Sequence, residues 1–148
     1  MSKVNQTIPA IREGLRRFNR RAGVLKADPY GLDLSLSQSS ALVDIERFKS
    51  ITPKHLASLL HLEKSSVSRL LAVLAKKKLV QIKMHSTDRR SKTLTLTPLG
   101  KKAVRTIHHA SNRSVAELLQ AMPLKEQSQI STAFRLILKT MNEIDPVI

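Results

Sequence analysis

The residues between Lys64 and Lys92 are the part of this chain best equipped for chemistry. Lys64, Arg69, Lys76, Lys77, Lys78, Lys83, Arg89, Arg90 and Lys92 fall in that stretch, against one acid, Asp88. Over all 148 residues, 26 Lys and Arg stand against 11 Asp and Glu, a formal charge of +15. Such a bias draws polyanions, nucleic acid first and an anionic membrane surface second. Aromatic residues make up 3% of the chain, too few for a platform on which unpaired bases stack.

Other chemistries find little support. With no cysteine, disulfides, thiolate metal sites and thiol redox switches are excluded. The histidines are His55, His61, His85, His108 and His109, with neither a His-x-x-x-His pair nor an acidic cluster beside them. Adjacent residues such as His108 and His109 point about 100° apart on a helix, so ordinary surface or packing roles are expected and no metal site. Asp44 and Glu46 fall on different faces, and the serines from Ser35 to Ser40 read as loop and cap residues. There is no nucleophile–base arrangement and no phosphate-cradling glycine loop. The expectation is a protein that is not an enzyme and needs no cofactor. No apolar run approaches a membrane span, and the first residues lack the apolar centre of a signal peptide, so a cytoplasmic location is expected.

The basic segment must be held by the elements around it. Val67, Leu70, Leu71 and Leu74 recur at i, i+3, i+4 and i+7, which predicts a helix over about 64–77 with one stripe inward. Its opposite face is Ser65, Arg69, Ala72 and Lys76, small or basic throughout, which suits a groove lined by phosphates. Upstream, Thr52-Pro53 starts a short helix carrying Leu56, Leu59 and Leu60 inward, and His61-Leu62-Glu63 makes a turn. Downstream, Val80, Ile82 and Met84 alternate with polar residues, as do Leu94 and Leu96, predicting two half-buried strands around a basic loop at about 85–92. Helix, turn, helix, strand, basic loop, strand is the order of a winged helix-turn-helix.

Further helices flank this module. Ile8, Ile11, Leu15, Phe18, Ala22 and Leu25 alternate steps of three and four along a first helix expected from about Thr7–Pro9. A second is expected near Ser37 to Phe48, capped by Ser37. Thr97-Pro98 starts a long helix to about Met122, packed through Val104, Ile107, Val115 and Leu118. A capping box of Ser114 and Glu117 predicts a kink near Asn112. A last helix from about Leu124 spaces Ile130, Phe134, Ile137, Leu138, Met141 and Ile144 on one face. The expected fold is mainly α with a small β-hairpin wing, one domain over 1–148. The lobe occupies about 35–100, and 1–30 with 101–148 form a helical dimerisation region.

The string from Asp88 to Gly100, Asp-Arg-Arg-Ser-Lys-Thr-Leu-Thr-Leu-Thr-Pro-Leu-Gly, resembles the wing signature of the MarR family of bacterial transcription regulators, and Leu56 to Val80 is similar to that family's helix-turn-helix. The resemblance implies a homodimer held by the terminal helices, on a pseudo-palindromic double-stranded operator. It implies DNA contacts from Lys64, Ser65, Ser66, Ser68, Arg69 and Lys76, with Arg89 and Arg90 in the wing and Asp88 bracing the wing arginine. It also implies repression relieved by a small ligand. Phe18 and Phe48 are the expected pocket residues, with Tyr30 near them, where the first and second helices meet the long helix after the wing. The net positive charge suggests an anionic aromatic compound. Two positions depart from the family pattern: Lys78 and His61 stand where relatives have glycine. The competing reading is an architectural winged helix that coats DNA with little choice of sequence.

Overall fold

The computed structural model describes residues 3–23, 25–84 and 92–144. Its elements run α1 Lys3–Arg21, α2 Leu36–Phe48, α3 Pro53–Leu59, α4 Lys64–Lys76, β1 Val80–Met84, β2 Lys92–Leu96, α5 Pro98–Gln120 and α6 Leu124–Ile144. The strands pair antiparallel, Val80 opposite Leu96 and Met84 opposite Lys92. Ile51 adds a bridge to Leu94, its carbonyl accepting the Leu94 N–H at 2.8 Å.

The core lies between α2, α3, α4, the hairpin and the first half of α5. Leu34, Leu42, Ile45, Leu56, Val67, Leu74, Leu94 and Val104 are fully buried there. All four stripe residues of α4 are buried, as their spacing predicts. Thr52 caps α3 by accepting the His55 N–H at 3.1 Å, with Pro53 in the first turn. Ser35, rather than Ser37, caps α2. Its hydroxyl accepts the Gln38 N–H while the Gln38 side chain accepts the Ser35 N–H, a reciprocal box the sequence reading set two residues late.

Both short helices of the lobe end the same way. After α3, His61 N–H donates to the Ser58 carbonyl and Leu62 N–H to that of Ala57. After α4, Lys78 N–H donates to Ala75 and Leu79 N–H to Leu74, both at 2.9 Å. This crossed pair of bonds needs a left-handed residue at its centre. His61 has φ of 49° and Lys78 of 58°. These are the two positions where glycine was expected, so the chain keeps the turn and bears the side-chain strain.

Other expectations are corrected. Helix α1 runs upstream of Pro9 to Lys3, placing the proline inside the helix, where it removes the bond to the Asn5 carbonyl. Helix α5 runs unbroken to Gln120. Ser114 is in mid-helix, its hydroxyl donating to the Ala110 carbonyl, so it forms no cap. Ile82 and Met84 are 41% and 58% exposed because the outer half of β1 projects beyond the lobe. Val115 and Leu118 are exposed, like residues 5–21 of α1 apart from half-buried Glu13, and α6 buries nothing. The well-packed pairs are α2 with α3 and α5, α3 with α4, and the hairpin with α2, α3, α4 and α5; α1 and α6 are not among them.

Candidate nucleic-acid interface

The buried stripe of α4 fixes the rotation of the helix, and with it what faces outward. Lys64, Ser65, Ser68, Arg69, Ala72 and Lys76 are exposed, and Ser66 is half-buried. Arg69 extends beside Ser66, its Nη2 3.5 Å from the Ser66 hydroxyl, the outer limit of a hydrogen bond, so its guanidinium is available to another acceptor. Glu63, the N-cap of α4, makes no side-chain capping bond. The positive end of the helix dipole lies beside Lys64 and Ser65, with the Glu63 carboxylate next to it.

A groove of about 790 Å³ runs between α4, the start of α3 and the hairpin. Val67, Leu71 and Ile82 form its apolar floor. Lys54 of α3, Lys64 of α4 and Lys92 of β2 stand around it, with Ser68 and Ala72 on the α4 side. Three lysines from three elements border one groove, so it favours an anionic chain such as a phosphate backbone. Sequence reasoning named Lys64 and Ser68 as contacts, counted Lys92 only in the basic run, and left Lys54 out. The signal was available in the register, since Lys92 lies opposite Met84 at the outer end of the hairpin. Asp88, Arg89 and Arg90 lie outside the described residues.

Lys77, part of the basic run, turns the other way and pairs with Asp33. Asp33 closes the loop before α2, with its N–H and that of Leu32 donating to the Asp28 carboxylate at 2.7 and 2.9 Å. Those bonds, Asp33 first, hold the Asp28 carboxyl below the usual aspartate value.

Phe18 and Phe48 are not brought together. Phe18 is 43% exposed on α1, whereas Phe48 is half-buried, its ring 5.0 Å from that of His55 and 5.2 Å from the Arg47 guanidinium. A different cavity, of about 450 Å³, opens between α2, the end of α3 and α5, bordered by Tyr30, Ser39, Asp44, Leu60, Ile107 and His108 among others. The Ser39 hydroxyl is buried there without a hydrogen-bond partner among the described residues. Burial raises the Asp44 carboxyl above its ordinary value, with Arg47 and His55 pulling the other way. His108 Nε2 lies 3.3 Å from Glu46 Oε2. Among the described residues, no group of three His, Asp or Glu could hold a metal ion, and no helix is long and apolar enough to cross a membrane.

Comparison with known proteins agrees with this geometry. Residues 32–91 match the family model described as MarR family. No curated protein is significantly similar in sequence. Among solved structures, RV1404 from Mycobacterium tuberculosis is 20% identical with a TM-score of 0.76, covering 94% of both chains. Streptococcus pneumoniae FabT, solved in complex with DNA, is 18% identical with a TM-score of 0.75, covering 97% of this chain and 98% of its own. A mutant MarR from E. coli complexed with operator DNA is 22% identical with a TM-score of 0.69, covering 93% of this chain and 99% of its own. The segment at residues 32–91 is a MarR family module, and the chain around it has the fold of that family's transcription regulators.

Proposed function

We propose that this protein is a homodimeric, sequence-specific double-stranded DNA-binding regulator that acts in the cytoplasm as a repressor and without catalysis. The observation that carries the reading is the outward face of α4. Ser65, Arg69 and Lys76 are exposed on it without an acid among them, beside a groove bordered by Lys54, Lys64 and Lys92. Two solved relatives of the same fold hold DNA. The dimer is supported by the helices outside the lobe. Ile8, Ile11 and Leu15 on α1 and Phe134, Ile137 and Met141 on α6 are each 50–58% exposed, two apolar faces too extensive to stay in water.

The deciding experiment is selection from a random duplex library at fixed salt, with light scattering on the same preparation. An enriched inverted repeat, with half-sites about 10 bp apart, and a dimer mass are expected. Even binding to all duplexes would replace this reading with the architectural one. Transcription from a promoter carrying the selected site then gives the sign of regulation.

Release by a small ligand belongs to the same reading. Among the described residues, no Lys or Arg borders the cavity at Ser39 and Asp44. It suits a hydrogen-bond donor or an amine rather than the anionic aromatic expected from net charge. Such a ligand would release DNA only by binding one arrangement of the dimer better than the other.

A further inference from the structure

Val73 is the one large apolar residue of α4 outside its buried stripe. Val67, Leu70, Leu71 and Leu74 are at most 8% exposed, whereas Val73 is 38% exposed. At 3.6 residues per turn it stands about 40° from Arg69 and about 60° from Lys76 around the helix. It therefore shares the face that carries the candidate DNA contacts, on the side of Arg69 away from Ala72 and the lysine-bordered groove. Ala72, on the other flank, adds little bulk, so nothing on this face keeps the helix from approaching base edges closely. A β-branched apolar side chain held in that position has one apolar group to meet in the major groove. Thymine alone presents a 5-methyl group there.

We infer that Val73 is a specificity-determining residue that contacts a thymine 5-methyl group within about two base pairs of the base reached by Arg69. The spacing follows from geometry: four residues of helix rise about 6 Å, against about 3.4 Å per base step along a strand. The inference rests on the proposed reading of α4 as the base-contacting helix and adds to it a base identity. Arg69 is suited to the O6 and N7 acceptors of guanine. Each half-site should therefore hold a guanine and a thymine at this separation, the thymine lying toward the C-terminal end of α4.

The test uses the full chain and the operator recovered by selection. Each thymine is replaced in turn by deoxyuridine, which pairs identically and lacks only the methyl group, and Kd is measured at one salt concentration. Loss of one buried methyl is worth about 0.8 kcal/mol, so about a fourfold weakening is expected at one thymine of each half-site. Val73→Ala, helical by circular dichroism, should bind the thymine operator more weakly and no longer distinguish the deoxyuridine version. Lys76→Ala should weaken binding to both and keep the fourfold ratio. A thymine-to-deoxyuridine ratio near one at every position, with sequence preference intact, overturns the inference and leaves the regulator reading standing. A ratio that survives in Val73→Ala also overturns it. If no duplex is preferred over any other, the regulator reading and this inference fall together.

Discussion

Gly100 presses against the carbonyl of Leu79. A methyl group on its α-carbon would stand 2.1 Å from that oxygen and 3.3 Å from a methyl of Leu96. Thr97 tightens the same junction. Its hydroxyl donates to the Lys78 carbonyl at 2.7 Å and accepts the Gly100 N–H at 3.0 Å. The start of α5 is thereby pinned to the end of α4, which sets where the hairpin leaves that helix. Gly100→Ala cannot be absorbed by a flexible side chain, because the obstacle is backbone. It should cost about 3 kcal/mol, read as a lower urea midpoint with unchanged slope. Thr97→Val should cost less, about 1 kcal/mol, through loss of the cap.

The left-handed residues His61 and Lys78 predict the opposite sign. Left-handed backbone costs an ordinary L-residue about 1–2 kcal/mol, part of which glycine returns through its greater freedom when unfolded. Lys78→Gly and His61→Gly should each raise stability by up to about 1 kcal/mol, measured by thermal and urea unfolding. Lys78→Val, β-branched at φ of 58°, should lower it. Equal stability of the Gly and Val variants would mean that the turn relaxes to another conformation.

Residues whose burial follows from periodicity were legible in the sequence. The stripe of Val67, Leu70, Leu71 and Leu74 fixed the rotation of α4 and hence the outward set around Arg69. The caps at Thr52 and Thr97 were legible because side-chain oxygen followed by proline has few other local uses. What escaped depends on distant contacts. Lys54 and Lys92 border the α4 groove only because the hairpin folds back beside α3. A pocket was expected where the first two helices meet the long helix after the wing; a cavity does lie between α2 and α5 beside Tyr30, but its polar lining of Ser39 and Asp44 carries no local signal. Val115 and Leu118 have helical spacing, which tells that a face is apolar but not whether its own chain covers it.

That uncovered face gives a third prediction. Leu15 is 54% exposed in the middle of the α1 seam and touches none of the lobe's buried core. Leu15→Glu should leave helix content unchanged and shift the mass by light scattering from dimer to monomer. Operator affinity should fall at least tenfold, because one half-site then binds without its neighbour. A dimer that persists through Leu15→Glu and through Ile137→Glu on α6 would place the interface elsewhere.

Arg69 and Lys76 should separate reading from anchoring. Arg69→Ala is expected to cost about 1–3 kcal/mol on the preferred sequence and to relax choice at one position per half-site. Lys76→Ala should weaken all sequences alike and reduce the dependence of log K on log salt by about one unit. Lys54→Ala and Lys92→Ala should resemble Lys76→Ala if their groove holds backbone phosphates. Asp88→Ala tests the wing by sign: a bracing role predicts weaker binding, whereas simple removal of a negative charge predicts tighter binding.

Asp44 supplies a pH dependence with an unusual direction. Burial raises its carboxyl above the ordinary value of 3.8, outweighing the charges of Arg47 and His55. The folded protein therefore holds this proton more tightly than the unfolded chain does. The contribution to stability is greatest below 3.8 and falls as pH rises from there through the raised native value, after which it is constant. Asp44→Asn should thus be more stable than wild type at neutral pH, and the gap should close below 3.8. A ligand that places an amine beside this carboxylate reverses the penalty, because the opposite charge favours the ionised form. Stabilisation of the wild type by a panel of small amines should then strengthen as pH rises through the native value, and should be lost in Asp44→Asn. The same amines should loosen the operator complex of the wild type and leave that of the variant intact. If they stabilise both proteins equally, they bind elsewhere, and the cavity beside Ser39 and Asp44 is not the site of control.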